Sequence, residues 1–478
     1  MNRNTSRVKK QAKMRESTVV GMSVEALKAK GNAIIAELKA HTWKDLEIRG
    51  KFGKNEKLSF ISDDMLIVGC DIGSESHYVR AIDTRGRELS RKAFSFTNNA
   101  EGFRALKEWA VNLAAQHDKK QIVLGLEPTG HYWYALATWL VAQGISVVQV
   151  NPYAVKQTKE LEDNSQNKDD LKDPKLIASL VKDGNYGMPY LPEGVYAEMR
   201  VYSGLRDRYV EDRIRAVNRL HRALYIVFPG YSEAFSAIDG AFTVALLKKA
   251  QLPADYIALG EGGIRDIWRA EKLKGGGYTR AKEIIRLSGE SVGITAGAAA
   301  YAIEIQSLAE DIERLTKKIA DLETRLTELC RKLPSAENIL AIDGLGEVIT
   351  SGILAELGDI SRFDDAKEIQ KISGLALVAC SSGKHKGQSK ISHRGRKKLR
   401  YWLFLAAKSL VSHNEAFKEL HVYYTTRAQN PLKKMQSLIA IACKLLRIIF
   451  AMLRSGKPFD ADKMRRDIVR PTEEKAAA

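Results

Sequence analysis

Three short apolar segments in the first third of the chain constrain its fold more than any other feature. Met65–Cys70 (MLIVGC), Gln121–Leu126 (QIVLGL) and Ile145–Val150 (ISVVQV) are largely apolar, and each ends abruptly in a polar turn. Such runs are typical of strands that are buried on both faces of a sheet. The intervening segments, Ala100–Ala115 and His131–Gln143, carry apolar residues at helical spacing. The alternation predicts an α/β domain with a partly parallel sheet.

Two of these strands end in a carboxylate. Asp71 follows the first strand in the sequence GCDIGSES, and Glu127 follows the second in the sequence LEPTG. Ribonuclease-H-like nucleases and recombinases place a metal-binding aspartate at the end of the first strand, whereas actin-like kinases and ATPases use an Asp-x-Gly turn there to approach phosphate. A lone Asp-x-Gly more often only ends a strand. The chain has no second phosphate loop of the Asp-x-Gly-x-x-Thr type, which weakens the actin-like alternative.

Two further acids lie where the next helical segment begins. Asp173 is followed by Pro174, so it can cap the helix 174–182. Asp170 lies three positions earlier, where it can converge with Asp173 on one cation. Phosphodiester chemistry is assisted by two magnesium ions about 4 Å apart, and carboxylate oxygens are the ligands that such hard cations prefer. The predicted catalytic and metal-binding acids are therefore Asp71, Glu127, Asp170 and Asp173.

The charge balance indicates a polyanionic partner. The 478 residues include 76 Lys and Arg against 58 Asp and Glu, a net charge of +18, and the isoelectric point is about 9.5. Nucleic acid is the simplest such partner, and an anionic membrane surface is the alternative. No apolar run approaches the ~20 residues that span a bilayer, so we expect a soluble, cytoplasmic protein. The four cysteines lie far apart with no Cys-x-x-Cys pair, so neither a disulfide framework nor a zinc site is indicated.

The strongest nucleic-acid-binding signal is the basic segment, residues 384–400. This segment contains no acidic residue, and its glycines and serines allow close approach to a phosphate backbone. By composition alone, Ser382 just before it is a turn residue. The predicted phosphate-binding side chains are Lys384, Lys386, Lys390, Arg394, Arg396, Lys397, Lys398 and Arg400.

Nine apolar residues from Ile305 to Leu333 alternate spacings of three and four, with charges between them. This pattern predicts a coiled-coil seam, which either pairs with the arginine-rich helical segment Glu198–Phe228 or joins two subunits. We favour self-association over an intramolecular hairpin. The acids interleaved among the arginines of 198–228 favour an ion-paired surface over phosphate contact. A second apolar helix, Met435–Leu453, is interrupted by Lys444 and Arg447 and is expected to be buried rather than transmembrane.

The sequences around the acids resemble those of the DEDD transposases of bacterial insertion sequences. The resemblance rests on GCDIGSESH, LEPTGHYW, VNPYAVK and NKDDLKDPKLIA. It implies that the four acids form the Mg²⁺ site, with two ions, of a domain similar to the RuvC-type Holliday-junction resolvases. The family usually has Thr/Ser-Asp-x-x-Asp-Ala where this chain has Asp-Asp-Leu-Lys-Asp-Pro at 169–174. Asp169 is therefore an alternative to Asp170 as the third acid.

The resemblance extends to the C-terminal part of the chain, where the same family has a Ser-Gly pair before a basic loop. It implies that Ser382 is the nucleophile that becomes linked to DNA, with Ser381 as the alternative. It also implies that a structured bridge RNA, encoded by the element, pairs with donor and target DNA. Symmetric recombination needs several subunits, so a homo-oligomer, a dimer or a tetramer, is expected.

These inferences predict an α/β RNase H-like (RuvC-like) domain, a helical coiled-coil region and a mainly α C-terminal domain. The expected boundaries are a basic extension at 1–60, the acidic domain at 61–190, the helical region at 191–334 and the serine domain at 335–478. The predicted function is that of an RNA-guided DNA transposase associated with the nucleoid. A structure-specific nuclease or resolvase that uses only the four acids is the second candidate. A nucleic-acid-binding protein without enzymatic activity is the third.

Overall fold

The computed structural model describes residues 54–163, 173–235, 237–272, 277–334, 336–378, 381–382, 385–386, 390–466 and 468. The chain divides into two compact units. The first extends to Leu191 and also includes Ser361–Asp364, and the second comprises Pro192–Ile360 and the residues from Asp365 onward.

The first unit is built on a mixed six-stranded sheet with the strand order β3-β2-β1-β4-β5-β6. Strands β1, β4 and β5 are parallel, whereas β2, β3 and β6 are each antiparallel to their neighbours. The three central strands are the three apolar segments of the sequence, which confirms the predicted partly parallel sheet. The strands are β1 Met65–Asp71, β2 Ser76–Ile82, β3 Phe94–Thr97, β4 Gln121–Leu126, β5 Ser146–Val150 and β6 Tyr186–Gly187.

Helices cover both faces of this sheet. Alternate residues of β1 point to opposite faces, so Leu66 joins a core with the helices α2 and α3 while Ile67 joins a core with α5. The burial of both faces explains why the central strands are apolar throughout. The helices of this unit are α1 Lys54–Phe60, α2 Ala100–Gln116, α3 Trp133–Ala142, α4 Pro152–Asp163 and α5 Asp173–Lys182.

The second unit is mainly helical, and two helices of 34 residues, α6 (Gly194–Val227) and α11 (Ala298–Arg331), form its frame. Eight of the nine residues of the predicted seam lie on α11, and all of these except the half-buried Ile319 are buried against α6 and neighbouring helices of the same chain. Arg206 pairs with Glu323 and Arg222 with Glu304, which shows that the two helices run antiparallel. The structure therefore shows the intramolecular pairing, which was one of the two alternatives, and the self-association that we favoured from the sequence stays a prediction. The arginines of α6 that contact α11 are ion-paired, as predicted.

Shorter helices complete the second unit. The helices α7 to α10 enclose, with α6 and α11, a core that includes five buried aromatic side chains. The helices α12, α14, α15 and α16 pack against the apolar helix α17, whereas α13 packs against α15 and α18 against α16. The helices are α6 Gly194–Val227, α7 Tyr231–Ala234, α8 Ala241–Leu247, α9 Pro253–Ala270, α10 Gly277–Gly289, α11 Ala298–Arg331, α12 Ala336–Leu340, α13 Glu347–Leu357, α14 Ala366–Ile372, α15 Lys397–His413, α16 Glu415–Thr426, α17 Lys434–Ser455 and α18 Ala461–Arg465. Four two-residue strands form two small ladders: β7 Leu377–Val378 with β10 Lys390–Ile391, and β8 Ser381–Ser382 with β9 His385–Lys386.

The helix α17 is, among the described residues, long and apolar enough to cross a membrane by length and composition. In the structure it packs against α14, α15 and α16. Ile441, Leu445 and Ile449 are buried along one of its faces. These contacts are those of a core helix, as the interrupting charges predicted.

Candidate active site

Asp71 and Glu127 lie side by side at one edge of the sheet. Strands β1 and β4 are parallel, and Cys70 is in register with Leu126. Asp71 directly follows Cys70, and Glu127 directly follows Leu126. The two acids therefore come immediately after a pair of residues that are in register on neighbouring strands. Both residues are partly buried. The structure thus places the two predicted strand-end acids next to each other.

Two glycines allow the helix α5 to approach this edge. Gly69 and Gly125 are partners in the β1–β4 ladder. A Cβ atom on Gly69 would lie only 1.9 Å from the carbonyl oxygen of Pro174 and 2.6 Å from the backbone nitrogen of Ala178. The first turns of α5 therefore lie directly over β1, two residues before Asp71. Because Asp173 is the first residue of α5, this contact places it near the two strand-end acids.

Asp173 and Glu127 interact electrostatically. Burial is the main cause that raises the pKa of Glu127, and the negative charge of Asp173 raises it further. The hydroxyl of Thr129, 3.4 Å from the Glu127 carboxylate, lowers this pKa, as does the positive charge of Lys159. Lys159, from α4, donates a hydrogen bond of 2.7 Å to Oδ1 of Asp173. Asp173 is thus paired with a lysine rather than acting only as a helix cap.

The carboxylate groups of Asp71, Glu127 and Asp173 are chemically suitable ligands for a divalent metal ion. Carboxylate oxygens are the donors that Mg²⁺ prefers, and the ammonium group of Lys159 already places a cation against Asp173. The fourth predicted ligand, Asp170, and its alternative Asp169 lie outside the described residues. Within the part of the chain that the structure describes, no three His, Cys, Asp or Glu side chains are grouped closely enough to hold a metal ion. Asp71, Glu127 and Asp173 are therefore gathered at one edge without forming a closed ligand set.

A buried histidine stabilises the turn that follows Asp71. The backbone N–H of Gly73 donates a hydrogen bond of 3.2 Å to Nδ1 of His77. The ring is fully buried and lies edge-on to Phe96, with 5.1 Å between the centroids. Burial lowers the pKa of His77, which favours the neutral ring that this hydrogen bond requires. The turn after Asp71 is thus held from within the core.

The predicted nucleophile lies in the second unit. Ser381 and Ser382 form the short strand β8, and Ser382 is in register with His385 on β9. The side chains of these residues and of Lys386 are outside the described part of the structure, as is all of Lys384. The choice between Ser382 and Ser381 therefore stays a prediction.

The cations in the described part of the basic segment differ in their exposure and in the contacts they make. Lys390, Arg394 and Lys397 are exposed. Arg396 donates to the carbonyl oxygen of Glu356, and Arg400 donates to that of Ser373 at 2.9 Å. These contacts assign structural roles to two of the side chains that were predicted to bind phosphate.

Lys398 also has a protein partner, because its ammonium group lies 2.9 Å from a carboxylate oxygen of Asp207 on α6. The same loop is held by its backbone as well. A Cβ on Gly395 would lie 2.2 Å from the carbonyl oxygen of Ile372, and the N–H of Arg396 bonds to that oxygen at 2.6 Å. The loop that carries the exposed cations is therefore fixed to the end of α14.

Comparison with known protein families gives two matches. Residues 68–229 match the sequence model of the IS110-type DEDD transposases, and residues 336–422 match that described as transposase, IS116/IS110/IS902 family. Together the two segments span about half of the chain. The chain belongs to the IS110-type DEDD transposases. This family acts on DNA, and its assignment confirms the resemblance and the fold class predicted from the sequence.

Individual relatives match this transposase over most of their length. The insertion element IS116 44.8 kDa protein of Streptomyces clavuligerus is 25% identical over 83% of this chain and 96% of its own length. The insertion element IS900 42 kDa protein of Mycobacterium paratuberculosis is 23% identical over 81% of this chain and 95% of its own. The pilin gene-inverting protein of Moraxella bovis is 26% identical over 77% of this chain and 90% of its own.

Sequence reasoning missed two residues of the candidate site. Lys159 contacts Asp173 across 14 positions of sequence, and no local pattern indicated that pairing. His77 belongs to the segment GCDIGSESH but was given no role, although its position at the start of β2 places it in the core. The alternation of β2, in which every second residue is buried, was the signal that could have identified it.

Proposed function

We propose that this transposase recombines DNA with its own insertion element through a magnesium site and a serine nucleophile. The observation that carries the proposal is that Asp71 and Glu127 follow one register pair of two parallel strands, while Asp173 begins the helix that packs closely on the first of these strands. The proposed ligand set is completed by Asp170, with two Mg²⁺ ions. When bound, such ions neutralise charge that develops on the phosphate and draw off the proton of an attacking hydroxyl.

Ser382 is proposed to attack the phosphodiester. Its Oγ forms a bond to phosphorus, the deoxyribose oxygen leaves and takes up a proton, and a phosphoserine ester joins the protein to one DNA end. Attack by a hydroxyl of another DNA end then reforms a phosphodiester and returns the serine. A serine hydroxyl is a weak nucleophile at neutral pH, so this step depends on the acidic site for activation.

Binding of nucleic acid is proposed to use the exposed cations of the basic segment. Lys390, Arg394 and Lys397 are the described side chains best exposed for phosphate contact, with Lys384 and Lys386 in the part of the segment whose side chains are not described. The proposed ligands are donor DNA, target DNA and a bridge RNA that pairs with both. The net charge of +18 fits several polyanionic ligands at once.

Recombination is preferred over simple hydrolysis for one reason. Relatives of this chain include proteins named for inversion of pilin genes, and inversion requires that cut ends be rejoined. A nuclease that uses only the acidic site would leave broken ends. A homo-oligomer is part of the proposal, since rejoining requires both DNA ends to be held together. Its interface is not proposed to be the seam of α11, which α6 covers.

The test is a covalent-adduct assay with the full-length chain, the RNA transcribed from DNA flanking the element, and labelled DNA that carries the element junction. We expect a magnesium-dependent protein–DNA adduct that is absent in Ser382→Ala and in Asp71→Asn, Glu127→Gln and Asp173→Asn. Asp183→Asn is the matched control, because this aspartate lies just beyond α5, half exposed and paired only with the neighbouring Lys182 among the contacts described.

Three results would contradict parts of this proposal. An adduct that persists in Ser382→Ala but disappears in Ser381→Ala moves the nucleophile by one residue. Cleavage without any adduct favours the nuclease. Full activity of Asp170→Asn together with an inactive Asp169→Asn would show that Asp169 is the third acid.

A further inference from the structure

Lys159 brings a positive charge into the acidic site. Its ammonium nitrogen lies 2.7 Å from Oδ1 of Asp173, and the two side chains are only 21% and 17% exposed. Its charge also reaches Glu127, whose pKa it lowers against the raising effects of burial and of Asp173. Lys159 therefore balances the charge of two acids that are proposed to bind metal.

The position of this lysine conflicts with metal binding. A divalent ion would need the oxygens of Asp173, and a hydrogen-bonded ammonium group occupies one of them. Two cations cannot share that oxygen without strong repulsion in a partly desolvated site. The lysine stem is flexible and reaches the surface, so its head group can turn toward solvent.

We propose that Lys159 is the resident counter-ion of the acidic site and competes with the divalent cation for Asp173. The inference rests on the function proposed above. Without metal, the ion pair neutralises Asp173 and limits its repulsion with Glu127. Metal binding displaces the ammonium group and frees the carboxylate, so the lysine sets the metal concentration at which the site fills.

The test is calorimetric titration of the full-length protein with Mn²⁺ in the absence of nucleic acid. Removal of the competitor in Lys159→Met should tighten Mn²⁺ binding by up to about fivefold, the factor that corresponds to the upper range for loss of one ion pair. The same variant should unfold at a lower temperature without metal and gain more from added Mn²⁺. Lys159→Arg keeps the charge and should resemble the parent protein.

Two further variants keep the test decisive. Lys156→Met removes a charge from the same helix, where the side chain is 75% exposed, and should leave the Mn²⁺ affinity unchanged. Lys159→Gln keeps most of the length and a hydrogen-bond donor. It should fold even if Lys159→Met does not, and it should also bind Mn²⁺ more tightly.

The outcomes separate this inference from the proposed function. If Asp173→Asn abolishes Mn²⁺ binding while Lys159→Met and Lys159→Gln leave the affinity unchanged or weaker, the lysine is not a competitor and the inference is overturned. If Asp71→Asn and Asp173→Asn bind Mn²⁺ as the parent does, the acids are not the metal site and both proposals fail.

Discussion

Substitution of Gly69 by alanine tests how the acidic site is assembled. The new Cβ would lie 1.9 Å from the carbonyl oxygen of Pro174, whereas ordinary contacts begin at 3.4 Å. The first turn of α5 would therefore have to retreat by roughly 1.5 Å, because both contacting groups are backbone and cannot rotate away. Overpacking of this kind costs about 1–3 kcal/mol. Asp173 precedes Pro174 in the same turn, so it would move with the helix.

The expected result is a loss of activity larger than the loss of stability explains. Displacement of a reacting group by about 1 Å can lower a rate roughly 100-fold. We would measure adduct formation and chemical denaturation for Gly69→Ala beside Gly187→Ala, a strand position in the same sheet where a Cβ meets nothing within 4 Å. The control should behave as the parent does.

Gly125→Ala provides a graded comparison. Its Cβ would lie 2.4 Å from a methyl group of Val181, which is in the third turn of α5 and far from Asp173. This variant should lose stability but retain more activity than Gly69→Ala. The reasoning is refuted if Gly69→Ala retains both the stability and the activity of the parent, or if Gly125→Ala is the less active of the two.

Three other predictions follow from the structure. Burial lowers the pKa of His77 in the folded state, so the stability that its neutral ring contributes is present above the unfolded pKa and is lost as the pH falls through the folded pKa. The decline in melting temperature below about pH 6.5 should therefore be smaller in His77→Gln than in the parent protein. Loss of Lys390 or Lys397 should weaken binding to unrelated DNA sequences equally and reduce the salt dependence by about 0.9 per charge, as followed by fluorescence anisotropy. Leu322→Ala should lower the free energy of unfolding by about 2–5 kcal/mol, because this side chain is buried within α11.

Each of these has an outcome that would contradict it. An unchanged pH dependence in His77→Gln would show that the pKa of this ring does not fall on folding. A loss of binding confined to one DNA sequence would indicate base recognition by the basic segment. A Leu322→Ala protein with unchanged unfolding but a lower mass in light scattering would show that the seam joins subunits after all.

The sheet and two of its acids could be predicted because their signals are local. A central strand covered on both faces must be apolar throughout, and the residue that ends it must turn toward water, so Asp71 and Glu127 could be placed before the structure was known. Contacts between elements carry no such local signature. The pairing of Lys159 with Asp173 depends on how α4 and α5 are arranged, and the close approach at Gly69 depends on the β1–β4 register.

The basic segment shows that composition alone cannot distinguish cations that bind phosphate from cations that stabilise the fold. A run of cations predicts that the segment as a whole binds phosphate, but it does not predict the contacts of each side chain. Arginines also bond well to the carbonyl groups at helix ends, which stabilises the fold. Arg396 and Arg400 bond to the carbonyl groups of Glu356 and Ser373, which no count of charges could indicate. The basic segment therefore has two roles in the structure. Some of its cations bond to backbone carbonyl groups of neighbouring helices, and others form an exposed, positively charged surface.

The seam of α11 illustrates what periodicity can and cannot establish. Alternating spacings of three and four require that one stripe of the helix be covered, but they do not identify the partner that covers it. Here α6 of the same chain has equal length and opposite direction, and its arginines pair with the acids of α11. Because most of that stripe is buried within one chain, variants of the seam should be judged first by their effect on folding.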